Sequence, residues 1–280
     1  MMDSFKPKAA SHKGKAIFST YSLFLFTLLP CLGSAQLPEP NDTGVSTGHV
    51  HLTVPDLERH TAIWTSLGAR QVQAGRLNLL IFPGMIFLLV EREPTMPSRD
   101  TSVNHVGFLV QDYTDMKAKL VAAGATFVIE NADAGQMLAE LPDGVRIEMQ
   151  QSDEINHAVE FHHIHLVAAD PGKLRDWYVD LFGAEAGSRR NMPSAIVPGG
   201  RVDVMEIRDN PEPQPTRGTA IDHIGFEVAD LDAFIQRLHD RNIRIDFGPV
   251  EAPALGLKVA FITDPAGTYI EITEGLDNLD

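Results

Sequence analysis

His163-Ile-His-Leu-Val-Ala-Ala-Asp170 is the third of four related phrases in this chain. Gly48–Asp56 reads GHVHLTVPD, Asn104–Asp112 reads NHVGFLVQD and Asp222–Asp230 reads DHIGFEVAD. Their leading histidines, His49, His105, His163 and His223, stand 56, 58 and 60 residues apart, which marks an internal repeat of about one supersecondary unit. The copies alternate. His49 and His163 are followed two residues on by His51 and His165, whereas His105 and His223 are followed by Gly107 and Gly225, so the order is A-B-A-B.

Each copy opens a module with one grammar. In the third, HIHLVA alternates as a strand should, and DPGKLRDWYVDLFGA then sets Leu174, Trp177, Tyr178, Leu181 and Phe182 on one helical face and stops at Gly183. Short apolar runs ending in RVDVMEI complete a βαβββ unit. In the fourth, ADLDAFIQRLHDRNI reads as the helix, LKVAFIT and TYIEITE as the last two strands, and Asp264-Pro-Ala-Gly267 as the turn between them. AELPDGVRIEM of the second module matches FITDPAGTYIEI, which puts Glu148 and Glu271 at one place, four residues after Gly144 and Gly267. The fold class is α+β, with four βαβββ modules.

Residues 1–35 carry four lysines, an apolar run AIFSTYSLFLFTLLP and a small-residue ending Gly33-Ser34-Ala35. They read as a secretory signal peptide cleaved after Ala35, because about 15 apolar residues fall short of the ~20 that span a bilayer. The destination is secreted or periplasmic, with no stable membrane insertion after cleavage. Cys31 is the single cysteine and lies in this leader behind Pro30, so the mature chain has neither disulfides nor thiolate metal sites. Removing four lysines and one aspartate takes the formal charge from −15 to −18. So acidic a chain repels phosphate backbones, and nucleic acid is excluded as the expected partner. Residues 36–47, rich in Pro, Asn, Asp and Thr, read as a flexible leader. Residues 48–150 and 160–275 read as two domains of two modules each, joined by a linker over 151–159 and followed by a tail over 276–280.

Two first-strand histidines and one last-strand glutamate supply two imidazoles and a carboxylate, a set that holds a divalent ion with coordination positions left open. Residues two apart on a strand share a face, so His49 with His51, and His163 with His165, each place two polar groups in one cavity. The first of each pair is the expected ligand. The second stands about 6.5–7 Å along the strand and is expected to orient substrate or carry its proton rather than bind the ion.

The H-[VI]-[HG]-[LF] openings and the D-P-x-G-x-x-[IV]-E endings resemble the vicinal oxygen chelate superfamily, which includes glyoxalase I, extradiol dioxygenases and bleomycin resistance proteins. The resemblance covers nearly all of residues 48–275. It implies that sequential modules pair into two half-open mixed-sheet barrels with a metal on each concave face. The implied metal ligands are His49, His105 and Glu148 in the first barrel and His163, His223 and Glu271 in the second. A further ligand from the last strand of the first module of each pair is left open between Glu206 and Asp203, and between Leu88 and Glu91. The C-terminal barrel is then the better-supplied site, with Glu271 or Glu206 shifting between ligand and base and His165 assisting. The cofactor is a divalent ion, Fe, Mn, Ni or Zn, and the partner a small substrate that chelates it through adjacent oxygens. Association into a homodimer stays open.

Three activities compete under this resemblance. A lyase or isomerase of the glyoxalase type suits the ligand set, although an exported protein is kept apart from glutathione. Extradiol ring cleavage uses a further histidine and a tyrosine ahead of the D-P-x-G turn, where this chain has APALG and Phe261. A non-catalytic drug-binding module is the third.

Overall fold

The computed structural model describes residues 37–75, 77–207 and 212–279. The signal peptide expected over residues 1–35 and its cleavage point lie outside them. Among the described residues no helix is long and apolar enough to cross a membrane.

The four modules form as the periodicity requires. The first comprises β1 (Val45–Val54), α1 (Leu57–Ser66), β2 (Arg70–Ala74), β3 (Leu77–Phe82) and β4 (Met85–Glu91). The second comprises β5 (Val103–Val110), α2 (Tyr113–Ala122), β6 (Thr126–Asn131), β7 (Gln136–Glu140) and β8 (Arg146–Gln151). The third runs through β9 (Val159–Ala168), α3 (Pro171–Phe182), β10 (Glu185–Arg189), β11 (Met192–Val197) and β12 (Gly200–Glu206). The fourth runs through β13 (Ile221–Val228), α4 (Leu231–Asp240), β14 (Phe247–Ala252), β15 (Leu257–Thr263) and β16 (Tyr269–Glu274). The aspartate that closes each repeated phrase caps the helix after it. Asp56, Asp112, Asp170 and Asp230 accept the backbone N–H of Arg59, Asp115, Lys173 and Ala233 at 2.8–3.0 Å, each cap contributing about 1 kcal/mol. Gly183 ends α3 at φ 62°, a left-handed turn that favours glycine.

The pairing of modules departs from the sequential one. One eight-stranded sheet has the order β14-β15-β16-β13-β1-β4-β3-β2, and the other β10-β11-β12-β9-β5-β8-β7-β6. The first module therefore shares a sheet with the fourth, and the second with the third, through antiparallel pairs β1–β13 and β5–β9. The two-domain division at residues 48–150 and 160–275 is corrected accordingly. The physical reason lies in the connections. Residues 152–158 lead directly from β8 into β9 of the same sheet. The longer connections, after β4 and after β12, cross between the sheets side by side, with Thr95 N–H on Gly218 O, Ala220 N–H on Met96 O and Ser102 N–H on Gln214 O.

The helices cover the convex faces, and one apolar core joins the sheets. Trp64 of α1 packs on Phe82 and Phe87 of its own sheet and on Phe108 of the other, and Phe182 of α3 stacks 4.2 Å from Phe226 across the same divide. Two segments expected to be loose are built into this body. Leu37 is buried, and the Asn41 side chain donates to Phe182 O and Gly183 O at the end of α3. The expected tail makes a 3-10 turn, Leu276–Leu279, whose Leu276 and Leu279 are buried.

Candidate metal centres

On β1, Val50, Leu52 and Val54 point into the core, so alternation turns His49 and His51 to the concave face. β13 runs antiparallel beside it, with His49 opposite Gly225 and His51 opposite His223. A Cβ on Gly225 would stand 2.1 Å from His49 Cε1, and one on Gly107 would stand 1.9 Å from His163 Cε1. That is why the phrase alternates between H-x-H and H-x-G: the glycine of a B module vacates the space that the first imidazole of its A partner fills.

The first cluster joins the ends of the chain. Glu271 Oε2 lies 3.0 Å from His49 Nε2 and 2.9 Å from His223 Nε2. Donors held 2.0–2.2 Å from one ion at right angles stand ~3 Å apart, so these three atoms have the spacing of a ligand set. His223 Nδ1 lies 2.6 Å from Asp222 Oδ1, the outer carboxylate contact that orients a ligating imidazole. Burial opposes ionisation of Glu271, yet contact with His49 and His223 holds its carboxyl well below the usual carboxylate range. His51 Nδ1 is 3.1 Å from His223 Nε2, and burial together with His223 and His49 pushes His51 down to about 3. A wall of Phe261, Tyr269 and the half-exposed Phe247 stands beside His223, with the Phe261 ring 5.4 Å from it.

The second cluster gathers His105, Glu148, His163 and His165, all buried. His105 Nε2 is 3.1 Å from Glu148 Oε2, 3.0 Å from His165 Nδ1 and 3.4 Å from His163 Nε2. Both members of this H-x-H pair therefore reach the donor group, against the expectation for His165. Burial, opposed by Glu148, lowers His163 to about 3; burial with His105 and His163 lowers His165 to about 2. Arg189, which the sequence did not mark as a site residue, enters this cluster, with its guanidinium 3.0 Å from His163 Nε2.

The structure regroups the predicted ligands. His163 joins His105 and Glu148, while His223 and Glu271 join His49, so neither expected barrel-by-barrel set forms. Glu206 joins neither cluster: it is exposed at the end of β12 beside Ala168, on the face where Val202 and Val204 enter the core. Asp203, opposite His165, faces the second cluster instead, and Leu88, opposite His51, takes the equivalent place in the first. Glu91 is exposed at the end of β4.

Residues 160–272 match the family model described as glyoxalase/bleomycin resistance protein/dioxygenase superfamily. Over these residues the chain is similar in sequence to that superfamily. Glyoxalase I from Zea mays superposes on 84% of this chain and 94% of its own, with a TM-score of 0.63 at 16% identity. A putative dioxygenase from Bacillus subtilis subsp. subtilis str. 168 covers 86% of each chain with a TM-score of 0.61 at 14% identity. At these identities the likeness is one of fold. Among curated relatives, the uncharacterized proteins YaeR of Escherichia coli (strain K12) and YwkD of Bacillus subtilis (strain 168) are each 27% identical, over 125 and 124 residues. They cover 41% and 40% of this chain and 95% and 94% of their own length. The chain thus carries two donor clusters among its described residues, one per sheet, with different surroundings.

Proposed function

We propose that the chain is an exported, metal-dependent enzyme of the glyoxalase superfamily, a lyase or isomerase acting on a small substrate through two adjacent oxygens. The observation that carries this reading is the convergence of His49 Nε2, His223 Nε2 and Glu271 Oε2 at about 3 Å on a concave sheet face. A divalent cation held there would act as a Lewis acid on the bound oxygens, stabilising charge that develops when a neighbouring C–H is deprotonated. His51 is the group placed to take that proton, since it shares the concave face with His49 and its Nδ1 stands 3.1 Å from His223 Nε2, beside the ligand set. The aromatic wall of Phe247, Phe261 and Tyr269 gives the substrate an apolar surface and helps exclude water, which favours a substrate with an apolar body over one that is charged throughout. The glyoxalase I neighbour supports this class by fold, and the lysine-bearing apolar segment that ends in Gly33-Ser34-Ala35 supports export.

Leu88 favours a second reading. With leucine at the place where a further acidic ligand would stand, the first cluster is a two-histidine, one-carboxylate set with open positions, the set used by non-haem Fe(II) oxygenases. The neighbour named a putative dioxygenase agrees in fold, whereas Phe261 counts against extradiol cleavage as expected from the sequence.

Metal analysis and turnover decide between these readings. The mature protein is expected to lose all turnover of α-keto aldehyde or hydroxy-carbonyl substrates on chelation and to regain it with one divalent ion. His49→Ala, His223→Ala and Glu271→Gln should each lose the metal. His51→Ala should keep it and turn over about 10²-fold more slowly or worse. Oxygen consumption with Fe(II) and a catechol would support the second reading, and recovery of unchanged substrates across the panel after metal reconstitution would leave a binding module.

A further inference from the structure

The two clusters are built on the same strand positions but with opposite chemistry around them. The last residue of β2 is Ala74 and the last residue of β10 is Arg189, each three positions before the first residue of the next strand. Leu79 pairs with Leu88 in the first module, and Ser194 pairs with Asp203 in the third. Ala74, Leu79 and Leu88 are thus answered by Arg189, Ser194 and Asp203, an apolar triplet by a charged and hydrogen-bonded one. The apolar triplet packs into a cluster of its own with Ile81, Ile86 and Leu257 on the concave side.

The polar triplet closes on the second donor cluster. Asp203 is fully buried; its Oδ1 accepts from Ser194 Oγ at 2.6 Å and its Oδ2 accepts from Arg189 Nε. The other end of the same guanidinium lies 3.0 Å from His163 Nε2 and 3.5 Å from Glu148 Oε2. His163 Nε2 corresponds to His49 Nε2, the atom that meets the carboxylate in the first cluster. A guanidinium N–H directed at it can be accepted only by the lone pair that a metal would need. Two carboxylates and one imidazole nitrogen, three of the donors that could hold an ion, are therefore already satisfied by a cation that belongs to the chain.

The geometry points to Arg189 as an internal replacement for the metal in the second cluster: while it is in place the His105–Glu148–His163 site takes no divalent ion, and metal loads at the His49–His223–Glu271 site alone. A fixed cation neutralises Asp203 and Glu148 without offering open coordination positions, so the second sheet keeps the architecture of a metal centre and has lost its Lewis acid. Removing Arg189 restores it, with Asp203 freed as a fourth donor beside His105, His163 and Glu148.

This inference leans on the proposed function only for the first site, and the test separates the two. Glu271→Gln removes the carboxylate of the first site, so Co(II) titration of that variant, followed by visible absorption and by metal content after dialysis, reads the second site by itself. Less than a tenth of an equivalent is expected. Arg189→Gln and Arg189→Ala, each combined with Glu271→Gln and checked for a retained cooperative melt, should take up close to one equivalent. The unaltered protein should hold one equivalent and the Arg189 single variants two. A full equivalent in Glu271→Gln with Arg189 intact overturns the proposal, as does a folded double variant that takes up none. An unaltered protein that holds no metal, alongside an Arg189 variant that holds one, would sink the proposed function and leave this assignment standing.

Discussion

Gly225 and Gly107 show how much a single missing methyl group decides. Neither adopts a left-handed conformation, so their value is space: His49 and His163 rest where a Cβ would be. Gly225→Ala is expected to push the His49 imidazole away from Glu271, abolishing metal uptake at the first site while far-UV circular dichroism stays unchanged. Gly107→Ala makes the same intrusion on His163, and since Arg189 keeps metal from that cluster, its metal content should match that of the unaltered protein. The sequence contained this pair of glycines in plain sight, and their alternation with histidine was visible. Their purpose was not, because it depends on which strand lies opposite.

Between elements, Glu227 of β13 fastens the end of β16. Its Oε1 accepts the backbone N–H groups of Gly275 and Leu276 at 2.6 and 2.9 Å, and its Oε2 accepts from Thr273 Oγ1. Burial, with Asp277 adding to it, pushes the Glu227 carboxyl up to about 7. A folded-state value above the ordinary 4.5 means that the folded protein binds the proton more tightly. The stabilising contribution is therefore fully present below about 4.5 and lost as pH rises through 7, amounting to about 3 kcal/mol at most. Thermal melts between pH 5 and 8 should show Glu227→Gln gaining on the unaltered protein as pH rises and staying flat where the latter falls; parallel curves would contradict the assignment. At this scale the sequence was most legible. The helix DPGKLRDWYVDLFGA forms over Pro171–Phe182, and LKVAFIT and the strand part of TYIEITE form β15 and β16. Of the two carboxylates that the sequence left open, strand parity excludes Glu206: two faces alternate along β12, and Asp203, not Glu206, shares the face of His165.

For the whole molecule, the pairing of the first module with the fourth makes contiguous pieces unequal. Residues 97–207 hold all eight strands of one sheet, whereas residues 36–152 hold two half-sheets whose partners are missing, leaving β1 and β5 with long unpaired edges. Size-exclusion chromatography with light scattering should find the first fragment monomeric and the second dimeric or aggregated, its A module seeking a B module of another copy. A monomeric, cooperatively melting 36–152 fragment would speak against this account. The sequence by itself determined the four modules, their helix caps, the concave-facing histidines and glutamates, and the rule that an A module pairs with a B module, since all of these follow from local periodicity and the size of a side chain. Tertiary structure alone decided which A meets which B, because His49 fits over Gly225 as it would over Gly107 and nothing local prefers either. That choice was made by the crossing connections and the core shared through Trp64 and Phe182, and with it the grouping of ligands and the placement of Arg189 against His163 were settled.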